Sequence, residues 1–161
     1  NYLEEGYQVT RTWKTELINN NPIQILSAEI SNKSGFFTVS EDIYIKIRYV
    51  VREVVFNSVI SLIIHSSDGA SILGTEDIDK NPHLLEKRYP GEYCTELTIP
   101  GNWLSPGKYY VRLHSGIVYQ VVFDNIEAMC FELTETGDHR IRSHKKAYLL
   151  PYLDWKTIRL Q

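Results

Sequence analysis

Few residues in this chain are spaced for chemistry, and a glycine loop is the first candidate. Gly69-Ala70-Ser71-Ile72-Leu73-Gly74-Thr75 has the glycine spacing of a phosphate-cradling loop followed by a hydroxyl residue. Such a loop needs a lysine between its second glycine and that hydroxyl, because the ammonium must reach the phosphates that the backbone N–H groups hold. Gly74 instead runs straight into Thr75, and "VISLIIHS" and "ASILGT" are apolar runs joined by Asp68-Gly69. That dipeptide suits a tight turn, so a hairpin is predicted here and not a nucleotide site. Cys94 and Cys130 sit in apolar runs without Cys-x-x-Cys spacing and are predicted to be buried free thiols, with a disulfide between them left open. His139 and His144, in "DHRIRSHKK", stand among cations that would repel a metal, so a solvated basic segment is predicted and no metal site. No nucleophile elbow or His-Glu-x-x-His motif is present, and no catalytic residue is assigned. Glu41/Asp42, Glu76/Asp77/Asp79 and Glu132/Glu135 read as turn and edge charges, with a glycosidase-like carboxylate pair left as an alternative.

A second constellation suits recognition. In "DIYIKIRYVV", Ile43, Ile45, Ile47 and Tyr49 alternate with Tyr44, Lys46 and Arg48. In "KYYVRLHS", Tyr110, Arg112 and His114 likewise turn away from the core; Tyr119 is expected on the next strand, and Ser61 and His65 on the hairpin. Tyrosine offers a rigid apolar ring with a polar tip, and Arg and His offer directed donors, a mixture suited to the CH face of a sugar and to its hydroxyl or acidic substituents. Tyr44, Arg48, His65, Tyr110, Arg112, His114 and Tyr119 are therefore the candidate carbohydrate-binding residues, all expected on the face opposite the core. The same residues also fit an ordinary solvated outer face, where tyrosine is favoured by β-propensity. A structural or protein-interaction module thus stands as the alternative.

The elements that must position these residues are short strands. "PIQILSAEI" alternates with Ile23, Ile25 and, by phase, Ser27 on one side; "VISLIIH" puts Ile60, Leu62 and Ile64 together. The long polar connection "EDIDKNPHLLEKRYPGE" is either a functional loop or holds a short helix at His83 to Lys87. Ser105-Pro106-Gly107-Lys108 has the residues of a type II turn, and "YCTELTIP", "IVYQVVF", "AMCFELTE" and "AYLLPYLDWKTIRL" bring the count to about nine or ten strands. Leu104 is expected in the core beside a partly exposed Trp103, with Trp13 and Trp155 pinning the chain ends to the sandwich or to a partner. Turn signals at regular spacing with almost no helical periodicity predict an all-β, immunoglobulin-like antiparallel sandwich. At 161 residues the chain is expected to form one domain, and 17 basic against 20 acidic residues leave a net charge of −3 with no basic stripe for nucleic acid. The longest apolar runs fall far short of the roughly 20 residues that cross a bilayer. The opening "NYLEEGYQVTRTWK" lacks an initiator Met, and a larger polypeptide is expected upstream.

The ordered set "FNSVISLIIHSSDGASILGTEDID", "YCTELTIPGNWLSPGKYYVRLHSG", "VVFDNIEAMCFELTETG" and "AYLLPYLDWK", over roughly Arg11 to Lys156, resembles the C-terminal carbohydrate-binding domain of Wzt-type ATP-binding subunits of polysaccharide ABC transporters. The resemblance implies a domain at the cytoplasmic face of the bacterial inner membrane that recognises the exported glycan, for example O-antigen. It implies no cofactor in this domain, with ATP and Mg bound by an upstream domain that also engages a transmembrane permease subunit. Residues 1–15 are then a linker, and residues 16–161 the sandwich with a C-terminal interface strand. The apolar run within Ala147 to Leu160 would expose Tyr148, Leu149, Leu150, Leu153 and Trp155 if left loose, so a homodimer that uses this strand is expected. The family's glycan contacts vary with the glycan, so none is carried over by position.

Overall fold

The structure is a computed structural model that describes residues 9–135, 147–149, 151, 153 and 155–159. Among these the strands are β1 (Thr12–Lys14), β2 (Ile23–Ser31), β3 (Ile43–Val51), β4 (Ser58–Ser66), β5 (Ser71–Glu76), β6 (Gly91–Ile99), β7 (Gly107–Ile117) and β8 (Val121–Leu133), with a single helical turn, α1 (His83–Glu86), between β5 and β6. They form two four-stranded sheets, ordered β1-β2-β3-β6 and β5-β4-β7-β8, in which every pairing is antiparallel. This is the predicted immunoglobulin-like sandwich. Eight strands lie among the described residues, close to the nine or ten expected: β7 runs on to Ile117, "VVF" and "AMCFEL" belong to one strand, and the expected C-terminal run falls partly outside the described residues.

The two inner faces make the core. Ile43, Ile45, Ile47 and Tyr49 of β3 meet Ile60, Leu62 and Ile64 of β4 and Val111, Leu113 and Phe131 of the second sheet, all buried. Each such apolar side chain contributes about 1.5–3 kcal/mol when fully buried. Alternation fails where an extra residue enters the ladder. On β2, Ile25 pairs with Tyr49 but Ser27 pairs with Arg48, so Leu26 is a bulge. The phase flips there, which turns Ser27 outward and Ala28 and Ile30 inward, against expectation.

Asp68-Gly69 closes a hairpin: Gly69 has φ 88, and Ser66 N–H donates to Ala70 O at 2.9 Å. Ser105–Lys108 is not the expected turn, since Gly107 opens β7 at φ 151 and the left-handed position belongs to Asn102, at φ 64. Thr12–Lys14, placed in a linker by the sequence, form an edge strand, and Thr10 exchanges two 3.0 Å backbone hydrogen bonds with Cys130 of the other sheet. Cys130 is buried, but Cys94 lies on the outer side of β6, exposed and opposite Arg48, so the expectation of two buried thiols is corrected. No disulfide joins Cys94 and Cys130. Leu104 is buried beside a half-exposed Trp103, and Trp13 packs against the core. His139 and His144 lie outside the described residues.

Candidate functional site

Antiparallel register assembles the site on the outer face of the β5-β4-β7-β8 sheet. Tyr110, Arg112 and His114 project from the central strand β7, and β4 sets His65, Ile63 and Ser61 directly opposite them. On the other flank, β8 sets Glu127 opposite Arg112 and Asn125 opposite His114. A bulge makes this possible: Val111 pairs with Met129 and Arg112 with Glu127, so Ala128 is the extra residue. Ala128 and Met129 both enter the core while Glu127 turns out beside the guanidinium. Beyond β4, Gly74 stands opposite Ile63 with open space where a side chain would be, and Glu76 stands opposite Ser61.

Arg112, Glu127, Asn125, His65 and Tyr110 form one network, and Ser61 and His114 form a separate pair beside it. Arg112 Nη2 lies 2.6 Å from Glu127 Oε1, and Arg112 Nη1 donates to Asn125 Oδ1 at 3.0 Å. His65 Nε2 is 2.6 Å from the same Glu127 Oε1, and its Nδ1 is 3.2 Å from the Ser66 carbonyl oxygen, so both ring nitrogens face acceptors. The His65 ring stacks on Tyr110, with centroids 5.3 Å apart and planes 10° from parallel. Ser61 Oγ lies 3.3 Å from His114 Nδ1. Tyr119 was expected on a strand, but it sits at the β7–β8 turn, fully exposed at φ 61. There it borders, with His114, Glu76 and Gln120, a shallow cavity of about 420 Å³. Gly116 permits the close hairpin below it, since a Cβ there would collide with the Val121 carbonyl.

The candidate set is therefore divided. His65, Tyr110, Arg112, His114 and Tyr119 share this face. Tyr44 and Arg48 project from β3, on the outer face of the other sheet, across a core about 10 Å thick. Arg48 borders a hollow with Trp13, Ser27 and Lys46, and Tyr44 borders a smaller one with Lys33 and Glu41. Glu127 and Asn125, which complete the network, were missed; only their outward phase on β8 marks them, and the bulge hides that phase. Among the described residues, no group of three or more His, Cys, Asp or Glu side chains could hold a metal ion.

Two further clusters flank the face. Arg88, 2% exposed, reaches Asp77 through Nη1 at 2.6 Å and Nη2 at 2.7 Å, and also binds Ser58 and the Tyr49 hydroxyl. Burial opposes its charge, but the hydrogen bond and field of Asp77 prevail and raise its pKa above the ordinary value. At the β4–β5 hairpin, Tyr148 donates its hydroxyl to Asp68 Oδ2 at 2.6 Å, and Ser105 N–H donates to Tyr148 O at 2.8 Å. Hydrogen bonds from Ser66, then Tyr148 and the Ala70 N–H, lower the Asp68 pKa to about 2.

No protein-family model matches the chain, and no curated protein matches it. A structural-genomics target, SoR45, aligns over 79% of this chain and 97% of its own at 11% identity, but its TM-score of 0.32 bears no weight. A crystal structure described as the C-terminal domain of Wzt aligns over 96% of this chain and 92% of its own, at 12% identity and a TM-score of 0.63, and the chain shares its fold.

Proposed function

We propose that this sandwich is a non-catalytic glycan-recognition domain of the ATP-binding subunit of a polysaccharide ABC transporter, and that the outer face of its β5-β4-β7-β8 sheet holds the glycan to be exported, an O-antigen-like polymer. The observation that carries this reading is the convergence of an aromatic stack, Tyr110 with His65, and a polar row, Arg112, Glu127, Asn125, His114 and Ser61, on one open face. A stacked ring offers a surface for sugar CH groups, and the row offers donors and acceptors in fixed positions. The fold shared with the Wzt C-terminal domain adds support. On this reading the domain works at the cytoplasmic face of the inner membrane, with a permease subunit as partner and ATP with Mg bound elsewhere in the protein. It works as a homodimer, because its described C-terminal residues Leu149, Leu153, Trp155 and Ile158 are exposed on their own chain.

A shallow, wet face makes few fully desolvated anchors, so affinity on the order of micromolar to millimolar is expected. Titration with the producing cell's own polysaccharide tests the reading. Tyr110→Ala and Arg112→Ala are expected to weaken binding about tenfold or more while leaving the fold intact. Tyr44→Ala and Arg48→Ala, on the opposite face, are expected to leave it unchanged. Binding that is lost only in the second pair moves the site to the other sheet.

A further inference from the structure

The cations of this face are already matched. Arg112, at the centre, has Nη2 on Glu127 and Nη1 on Asn125. Lys108, further along β7, stands across the ladder from Glu132 of β8. His65 shares the Glu127 oxygen with Arg112, and the rung that holds His114 ends in a second carboxylate, Glu76. Carboxylates therefore lie on both flanks of the β7 row. An acidic sugar would approach Glu127 on one side and Glu76 on the other, and it would meet an Arg112 whose Nη2 and Nη1 are already turned to Glu127 and Asn125. Like-charge juxtaposition of this kind is how a surface rejects a competing ligand.

A hydroxyl meets no such conflict. An ionised carboxylate accepts at two oxygens, and the contacts above employ only Oε1 of Glu127, leaving Oε2 to accept from a sugar hydroxyl. A guanidinium only donates, so the oxygen of Asn125 faces Arg112 and its NH₂ group points away, ready to donate to a ring or hydroxyl oxygen. Ser61 and His114 continue the row, and Gly74 keeps the β5 side open. Building on the glycan-recognition reading, we infer that this face selects a neutral, hydroxyl-rich glycan over uronate-, sialate- or phosphate-bearing ones, and that Glu127 is the residue that sets this choice.

The test is an array of neutral mannans, galactans and glucans beside uronate-, sialate- and phosphate-bearing glycans, probed at low and high salt with the wild-type protein, Glu127→Gln and Arg112→Gln. Thermal unfolding checks that both variants remain folded. The expected result is binding to neutral members that changes less than about twofold with salt, since screening acts on charged pairs, and that falls about tenfold in Glu127→Gln through loss of a charged acceptor. Preferential binding of acidic members, dependent on Arg112 and strengthened by Glu127→Gln, overturns the inference and leaves the glycan reading standing. Neutral binding indifferent to both variants also overturns it. An array on which nothing binds overturns the inference and the glycan reading together.

Discussion

Asp68 shows how much one exposed side chain can organise. It was legible in the sequence as half of a turn, and the structure gives it a second duty as acceptor for Tyr148. Because its carboxylate form is the one hydrogen-bonded, its pKa falls from 3.8 to about 2. The sign follows from linkage: a depressed carboxylate contributes its stabilisation above the unfolded value, and loses it as pH falls toward the folded value. Between about pH 4 and pH 2, therefore, the attachment of Tyr148 is expected to weaken while the core holds. Hydrogen exchange of the Ser105 amide, which donates to Tyr148 O, reads this directly. Exchange is expected to accelerate across that window in the wild type, and in Tyr148→Phe to be fast already at pH 4. Equal exchange in the two proteins across the window would remove the hydroxyl's role. Arg112 and Tyr110 were legible in the same way, as outward residues of a clear alternation, and Glu127 was not, because side-chain phase is a property of the ladder and not of the residue.

At the scale of elements, the connection from β5 to β6 is held to the sandwich by a buried charge pair. Asp77 follows β5, Arg88 precedes β6, and their doubled hydrogen bond closes the segment that carries α1. Removing one partner leaves the other charged and buried, which costs about 3–5 kcal/mol. Arg88→Ala is expected to lower unfolding stability in urea by about that much, and Arg88→Met with Asp77→Leu, which removes both charges, is expected to lose much less. A loss below about 1 kcal/mol in the single variant would show that the pair is dispensable. Neither member could be singled out beforehand, since Arg88 lies in a polar run that reads as solvated. Elements with regular alternation, such as β3, β4 and β7, were readable residue by residue. The errors gather at the bulges and the chain reversals. Leu26 and Ala128 each add one residue and reverse the facings next to them, as with Ser27 on one strand and Glu127 on the other. Tyr119 takes a left-handed φ of 61 with neither glycine nor asparagine to announce a turn. Cys94 lies in an apolar run, but that run is an edge strand whose outer side faces water.

For the whole molecule, the two outer faces, the two ends and the C-terminal segment have different surroundings. The β4–β5 hairpin, the β6–β7 connection and the end of β8 share one end of the sandwich, since Ser66 pairs with Tyr109 and Gly107 with Leu133. Tyr119 marks the opposite end, after Ile117, which pairs with Ser58. The C-terminal segment docks at the first end through the Leu104–Leu149 bridge and the Tyr148 contacts, and then presents Leu153 at 69%, Trp155 at 87% and Ile158 at 81% exposure. Trp155 thus does not pin the segment to its own sandwich. Exposed apolar side chains this close together mark a surface that a partner covers. We propose that a second copy of the chain supplies that cover under two-fold symmetry, each tail lying on its mate and burying both apolar sets in an isologous contact. Sedimentation of the intact domain beside a version ending at Ser143 is expected to show a dimer and a monomer respectively, and Trp155→Ser with Leu153→Ser to shift the intact domain toward monomer. A monomer in the intact protein defeats the proposal, and a dimer that survives the truncation assigns the contact to another surface, for which the exposed edges of β5 and β6 are next to be varied.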